Sequence, residues 1–388
     1  MRILFWTGKF WPDIGGTATF ATRLLPALQE RGHEILVVAA QSHQDHPLQD
    51  SYQGIPVKRF PFWDQKTYQR IDHVFSVKKD VAHLKREFSP DLIHLSSLNL
   101  SHFFYLETAS IYPAPVIVTV HGYHDFNDGG AYHLTSLEEK VLAAANWVTG
   151  VSGTIMENFR KLLPVIRTRS TVIHNGMELP PVLPGPLPFA PPVLLCIGRL
   201  VKEKGIDVAL AAFPQILRHF PQTRMMIAGD GPERPSLEQQ TRSLGIRESV
   251  DFLGWVSPDN VPDLINTATV VVVPSRWEEP FGFVALEAGL MARPVVATRV
   301  GGLQEIIVHS KTGSLVTNED SHEMGNAILS LLGNFTVAER MGLAARQHIT
   351  KNFSLISCVD AYEALYQKIG ASAANHLASK GSQVAIPK

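Results

Sequence analysis

The sequence predicts an α/β protein built from two doubly wound, Rossmann-like domains. Three observations carry that expectation. Short apolar runs alternate with longer segments of helical period, a proline-rich stretch divides the chain nearly in half before the same rhythm restarts, and 388 residues exceed what one hydrophobic core usually organises. In the first half the apolar runs are "RILFW", "EILVVAA", "LIHLS", "VIVTV", "WVTGVS" and "TVIHN", separated by segments such as "TATFATRLLPALQERG", a helix that Pro26 is expected to kink. Residues 178 to 193, "ELPPVLPGPLPFAPPV", hold too much proline for a helix or a central strand and read as a semi-rigid connector. The second half offers "VLLCIG", "RMMIAG", "VDFLG", "TVVVVPS", "PVVAT" and "GSLV". The expected boundaries are 1–182 for the first domain, 183–192 for the linker and 193–355 for the second domain. Residues 356–370 form an amphipathic helix expected to pack back toward the first domain, and 371–388 lack periodicity and read as a mobile tail. Open α/β sheets bind ligands beyond the carboxyl ends of their strands, so two such domains facing each other are expected to share one cleft.

Composition narrows the partners. An apolar content of 45%, a charged content of 18% and a formal charge of −1 describe a globular protein with no general attraction for nucleic acid. The two cysteines, Cys196 and Cys358, cannot build a disulfide framework, and Gly8, Lys9 and Pro12 interrupt the N-terminal apolar run before a signal-peptide core forms. With no apolar stretch near the roughly 20 residues of a membrane span, the expectation is a soluble cytoplasmic protein. One segment leaves room for peripheral contact with the inner face of a membrane. "DHVFSVKKDVAHLKREF", residues 72–88, sets Val74, Val77, Val81, Leu84 and Phe88 on one helical face and Lys78, Lys79, Lys85 and Arg86 largely elsewhere, though a core-packed helix with a solvated face is the favoured reading.

Candidate chemistry collects at the turns. After "VLLCIG", the turn "RLVKEKG" places Arg199, Lys202 and Lys204 just before a helix that begins near Gly205 or Ile206. Cations are unfavourable at that end unless an anion binds there. A diphosphate suits them; so does a solvated turn with Lys202, Glu203 and Lys204 in screened pairs. The glycine turn "AGDGPE" carries Gly229, and "FLGWVSPDNVP" offers backbone groups beside Trp255 and Val256 where a flat base could be held by its edge. Near the N-terminus, Gly15 and Gly16 stand between a strand and a helix. His121 ends an apolar strand, three residues before His124, but no third ligand at a familiar spacing supports a zinc site there.

"EEPFGFVALEAG", residues 278–289, reads as a loop entering a helix with Pro280 near its first position. Glu278 and Glu279 suit that helix start, where capping accounts for at least one of them. Phe283, Leu286, Glu287 and Leu290 then form one stripe, so Glu287 is a carboxylate where apolar contact is expected. It needs a buried partner, such as Arg293 or Arg299, or a ligand rich in hydroxyl groups, such as a ribose.

"GKFWPDIGG", "HGYHDF", "HNGME", "IGRLVKEKG", "IAGDGPE", "FLGWV", "EEPFGFVALEA" and "VGGLQEII" together resemble, in order from about residue 3 to about 366, the retaining GT-B glycosyltransferases of family 4, also called group 1. The resemblance implies the acceptor on the first domain and a UDP- or GDP-sugar mainly on the second. It implies that Arg199 and Lys204 hold the diphosphate, that Glu287 binds the ribose, and that Phe281, Gly282 and Phe283 present backbone groups. It also implies that Glu279 contacts the transferred sugar, that His121 lines the reaction centre and that Gly16 approaches the donor phosphate. Residues 43–75 and "YHDFNDGG" match no pattern of the family, so the acceptor is left open among glycan, lipid-linked and small-molecule hydroxyls. No cofactor is expected, and the absence of any Asp-any-Asp triplet points to metal-independent chemistry. A sugar-nucleotide epimerase on the same fold and a non-catalytic nucleotide-sugar sensor are the alternatives.

Overall fold

The computed structural model describes residues 1–62, 71–122 and 132–381, with backbone alone at 71 and 372–381. The chain forms two compact units, Met1–Gly176 with Leu355 onward, and Met177–Ser354. In the first, an eight-stranded sheet runs β3-β4-β2-β1-β5-β6-β7-β8. Its strands are β1 (Arg2–Thr7), β2 (Glu34–Ala40), β3 (Gln49–Tyr52), β4 (Ile55–Phe60), β5 (Leu92–Ser96), β6 (Val116–Val120), β7 (Trp147–Gly150) and β8 (Ser170–Val172). All pairs are parallel except β3 with β4. In the second unit a fully parallel sheet runs β11-β10-β9-β12-β13-β14. Its strands are β9 (Val193–Ile197), β10 (Arg224–Ala228), β11 (Val250–Gly254), β12 (Val270–Val273), β13 (Val295–Thr298) and β14 (Gly313–Val316). Strands such as "LIHLS" and "VVVV" are buried at every position, as parallel strands covered by helices on both faces must be. Strand order reverses beside β1 in one sheet and between β9 and β12 in the other. Each reversal opens a crevice at the carboxyl edge.

The helix Leu355–Gly381 belongs to the first unit and runs past residue 370, where the apolar period fades. Leu355, Cys358, Val359, Tyr362, Leu365, Tyr366 and Ile369 lie buried against Ile3, Phe5, Phe20 and Ile117. A polar chain fixes it further. Tyr366 Oη lies 2.6 Å from His94 Nδ1, His94 Nε2 lies 2.7 Å from Thr119 Oγ1, and Thr119 reaches Thr149 (2.7 Å) and Tyr362 Oη (3.1 Å). At the rim Arg31 bridges Asp360 (2.5 Å) and Glu363 (2.6 Å).

The proline-rich connector is not a free spacer; it is packed on the second unit. Leu187 joins that unit's core, Phe189 meets Phe335 edge-on at 4.8 Å, and Asn266 donates to Leu183 O (2.9 Å) while accepting from Gly185 N (3.0 Å). Arg293 is the anchor. Fully buried, it donates to the carbonyls of Gly185 (2.9 Å), Pro186 (3.4 Å), Met291 (3.0 Å), Ile265 (3.3 Å) and Asn266 (2.7 Å), and to Asn266 Oδ1 (3.1 Å). Burial lowers its pKa to about 10. Removing the guanidinium leaves those buried oxygens without donors, so Arg293→Met should destabilise the second unit by about 3 kcal/mol and make residues 183–192 sensitive to protease. Unchanged unfolding and cleavage would contradict this role.

The helix Ile71–Phe88 corrects the expected basic face. Val77, Val81, Leu84 and Phe88 are buried as expected, but so is Lys85, whose Nζ lies 4.8 Å from the Tyr105 ring and whose pKa burial lowers to about 7. Lys78 pairs with Glu107 at 2.8 Å. What faces solvent is Lys79 and Arg86 against Asp72, Asp80 and Glu87, a surface with no excess of positive charge. Among the described residues no helix is long and apolar enough to cross a membrane.

Candidate functional site

In the second unit, the turns after β9 and β12 meet at the strand-order reversal. Beyond β9 the chain makes one 3-10 turn, Lys202–Lys204, and then Gly205 starts the helix Ile206–His219 from a left-handed conformation (φ 63°). A Cβ at Gly205 would lie 2.0 Å from Pro274 O, so only glycine lets this turn close on the loop after β12. The approach brings Lys204 to Glu279. Its ammonium lies 3.0 and 2.8 Å from the two carboxylate oxygens, and Ser275 Oγ (2.9 Å) and Trp277 Nε1 (3.2 Å) donate to the same group. A second close approach holds the loop from the other side. Gly302 N donates to Glu279 O at 2.7 Å, and a Cβ at Gly301 would lie 2.2 Å from that oxygen, which explains the glycine pair in "VGGLQEII".

Electrostatics follow from this arrangement. Burial opposes ionisation of Glu279, but the Lys204 charge together with the hydrogen bonds from Lys204, Ser275 and Trp277 outweighs it and holds the carboxyl below its usual range. Glu279 is therefore not a cap: Gly282, at φ 114°, is the N-cap, and the helix runs Phe283–Leu290, three residues later than Pro280 suggested. Nor does Lys204 pair with Glu203 on a solvated turn. Arg199 is exposed and makes no ion pair among the described residues, so it is available to an anion.

The other residues expected to meet a donor lie in the turns after β10, β11 and β12 and on the helix that follows β12. Gly229 follows β10 and donates to Gly254 O at 2.7 Å, which sets the ends of β10 and β11 side by side. Trp255, 60% exposed, and the half-buried Val256 come next after β11. Phe281 is buried against Phe283 (5.7 Å) and Phe353 (6.0 Å). Glu287 is half-buried on the helix Phe283–Leu290, between buried Leu286 and Ala288. Neither arginine weighed as its partner serves it: Arg293 is engaged with carbonyls and Asn266, and exposed Arg299 donates to Leu315 O at 3.1 Å. A cavity of about 420 Å³ opens beside Lys202, Asp207, Ser236 and Arg276. Its arginine is bidentate to Asp207 (2.6 and 2.5 Å), so it offers a phosphate no unpaired guanidinium.

In the first unit His121 stands just past β6, beside Ser96 at the end of β5, with its Nε2 3.0 Å from Ser96 Oγ. Phe20 meets the ring edge-on at 4.7 Å. That phenylalanine lies one turn into the helix Gly16–Glu30, whose exposed start follows Gly15. His124 and the rest of "YHDFNDGG" lie outside the described residues, and among those described no three His, Cys, Asp or Glu side chains gather to hold a metal. Ser275 and Trp277 escaped the sequence reading although they sit four and two residues before Glu279, and Ser96 and Phe20 had no local signal at all.

Comparison with known proteins identifies the family. The pattern of the family described as glycosyl transferases group 1 matches residues 186–348, and that of glycosyltransferase family 4 matches residues 14–180. A glycogen synthase of Mycobacterium tuberculosis is 28% identical over 385 residues, covering 91% of each chain, and an alpha-D-kanosaminyltransferase of Streptomyces kanamyceticus is 35% identical over 179 residues, 46% of each. The solved structure of sucrose-phosphate synthase from Thermosynechococcus elongatus superposes with a TM-score of 0.83 at 22% identity, covering 96% of this chain and 99% of that one. Two family patterns, matched in order over both Rossmann-like units, place the chain among the group 1 glycosyltransferases of GT-B fold.

Proposed function

We propose that the protein moves a sugar from a nucleotide-diphosphate-sugar donor to an acceptor hydroxyl with retained anomeric configuration and without a metal ion. The observation that carries this is the Lys204–Glu279 pair at the β9/β12 reversal, with an unpaired Arg199 on the same turn. A carboxylate kept ionised by its partners can accept from sugar hydroxyls, while Arg199 and Lys204 neutralise the departing diphosphate. Glu287 is assigned to the ribose. Backbone groups of Trp255 and Val256 are assigned to the base, and those of Phe281, Gly282 and Phe283, with Gly229 and Gly16, to the sugar phosphates. His121 is assigned to the reaction centre and the first unit to the acceptor.

Retention follows if the acceptor attacks from the face the phosphate leaves. The bond from the anomeric carbon to the phosphate oxygen breaks, the bond to the acceptor oxygen forms, and the acceptor's proton passes to the departing phosphate. Glu279 orients the sugar and forms no covalent adduct. The relatives' names span a polysaccharide, an aminosugar transfer and a sugar phosphate, so the acceptor is not inherited from them.

Thermal-shift screening against UDP- and GDP-sugars identifies the donor, since a ligand at 100 times its dissociation constant adds about 2.7 kcal/mol of stability. With that donor, transfer should persist in excess EDTA and give a product whose anomeric signals by NMR match the donor's configuration. Loss of activity in EDTA restored by magnesium or manganese would overturn the metal-free reading, and an inverted product would overturn retention. Conversion of the donor without any acceptor would identify an epimerase, and binding without turnover a sensor.

A further inference from the structure

We infer that Ser96 is a positioning residue that holds the His121 imidazole as its Nδ1–H tautomer, making Nδ1 the donor nitrogen of the ring. The functional meaning rests on the assignment of His121 to the reaction centre; the tautomer rests on geometry. Ser96 is fully buried, and among the described residues its hydroxyl has a single partner, His121 Nε2 at 3.0 Å. A hydroxyl carries one proton, and burying it without an acceptor is costly. If Nε2 carried a proton and donated to Ser96, the serine proton would have nowhere to go. Donation from Ser96 to Nε2 satisfies both groups. The proton of the neutral ring then sits on Nδ1, and the same reasoning disfavours the imidazolium, in which Nε2 is also a donor.

The frame around this contact is rigid. Ser96 and Thr119 are register partners, and Ser97 N donates to Thr119 O at 2.9 Å, so the ends of β5 and β6 cannot slide apart. Phe20 closes the other side of the ring at 4.7 Å. An imidazole held this way cannot take the acceptor's proton at Nε2, and its Nδ1–H suits a sugar hydroxyl or phosphate oxygen. That agrees with a transfer in which the departing phosphate receives the proton.

The test combines a spectrum with kinetics. In protein labelled with ¹⁵N-histidine, long-range ¹H–¹⁵N correlations, assigned with His121→Ala, should show His121 protonated at Nδ1. Ser96→Ala should redistribute the proton toward Nε2, and Ser96→Thr, which keeps the hydroxyl, should restore it. With donor and acceptor present, Ser96→Ala should lower kcat about threefold to tenfold while leaving the donor KM within about twofold, as expected for the loss of one hydrogen bond. Protonation at Nε2 in the native protein, or a tautomer unchanged in Ser96→Ala, would overturn the inference. Undiminished transfer by His121→Ala would overturn the reaction-centre reading instead, with the tautomer still decided by the spectrum.

Discussion

Lys204→Ala should reduce kcat/KM for transfer by at least about a hundredfold, because it removes a cation from the proposed diphosphate site and strands the Glu279 carboxylate it neutralises. The two losses can be separated by pH. Glu279 has a folded pKa below its unfolded value, so its contribution to stability is fully present above the ordinary carboxylate range and is lost as pH falls through the folded pKa. Without the ammonium, burial dominates and raises that pKa. The acid limb of the pH–rate profile should therefore move to higher pH in Lys204→Ala and remain in place in Arg199→Ala, whose side chain is not among the hydrogen-bond partners of Glu279 in the described residues. A profile unmoved in Lys204→Ala, with transfer near wild type, would show that the pair has no part in turnover.

Ending the chain at Ser354 should prevent the first unit from folding. Among the described residues the missing helix contributes seven buried side chains, and at about 1.5 to 3 kcal/mol each their loss matches or exceeds the 5 to 15 kcal/mol that a domain has in total. It also deletes Tyr362 and Tyr366 from the hydrogen-bonded chain and opens His94 and Thr119 to water. In the intact protein that chain adds acid sensitivity. Burial lowers the His94 pKa to about 3, with a smaller contribution from His121. Below the unfolded value near 6.5 the unfolded state takes up a proton that the native state refuses, and stability should fall by about 1.4 kcal/mol per pH unit until the folded pKa is reached. Circular dichroism and proteolysis of residues 1–354 check the first expectation. A first unit that stays protease-resistant with an unchanged melting temperature would refute it.

The sequence shows the sheet strands clearly because parallel strands buried on both faces leave uninterrupted apolar runs, as in "VVVV" and "LIHLS". Its helix boundaries are less plain. Pro280 suggested a start that Gly282 sets instead, since the decisive feature is a left-handed backbone and not a residue preference. Proline content suggested a spacer at 183–192, where long-range hydrogen bonds from Arg293 and Asn266 dock the segment on the second unit. Lysine spacing suggested a basic face on residues 72–88, but Lys85 is turned inward by packing against Tyr105. Arg199, Lys204 and Glu287 are legible as charges in unfavourable places, and Glu279 only as an acid suited to a helix start. The Lys204–Glu279 contact is not legible, because it spans 75 residues and depends on the close approach at Gly205.

Calorimetric titration of the nucleoside diphosphate of the identified donor into the native protein, Arg199→Ala and Glu287→Gln tests the donor site most directly. The account predicts that each variant stays folded and binds about ten- to a hundredfold more weakly, since each loses a charge-assisted contact worth about 1.5 to 3 kcal/mol. Native affinity in both variants would contradict it and place the nucleotide elsewhere.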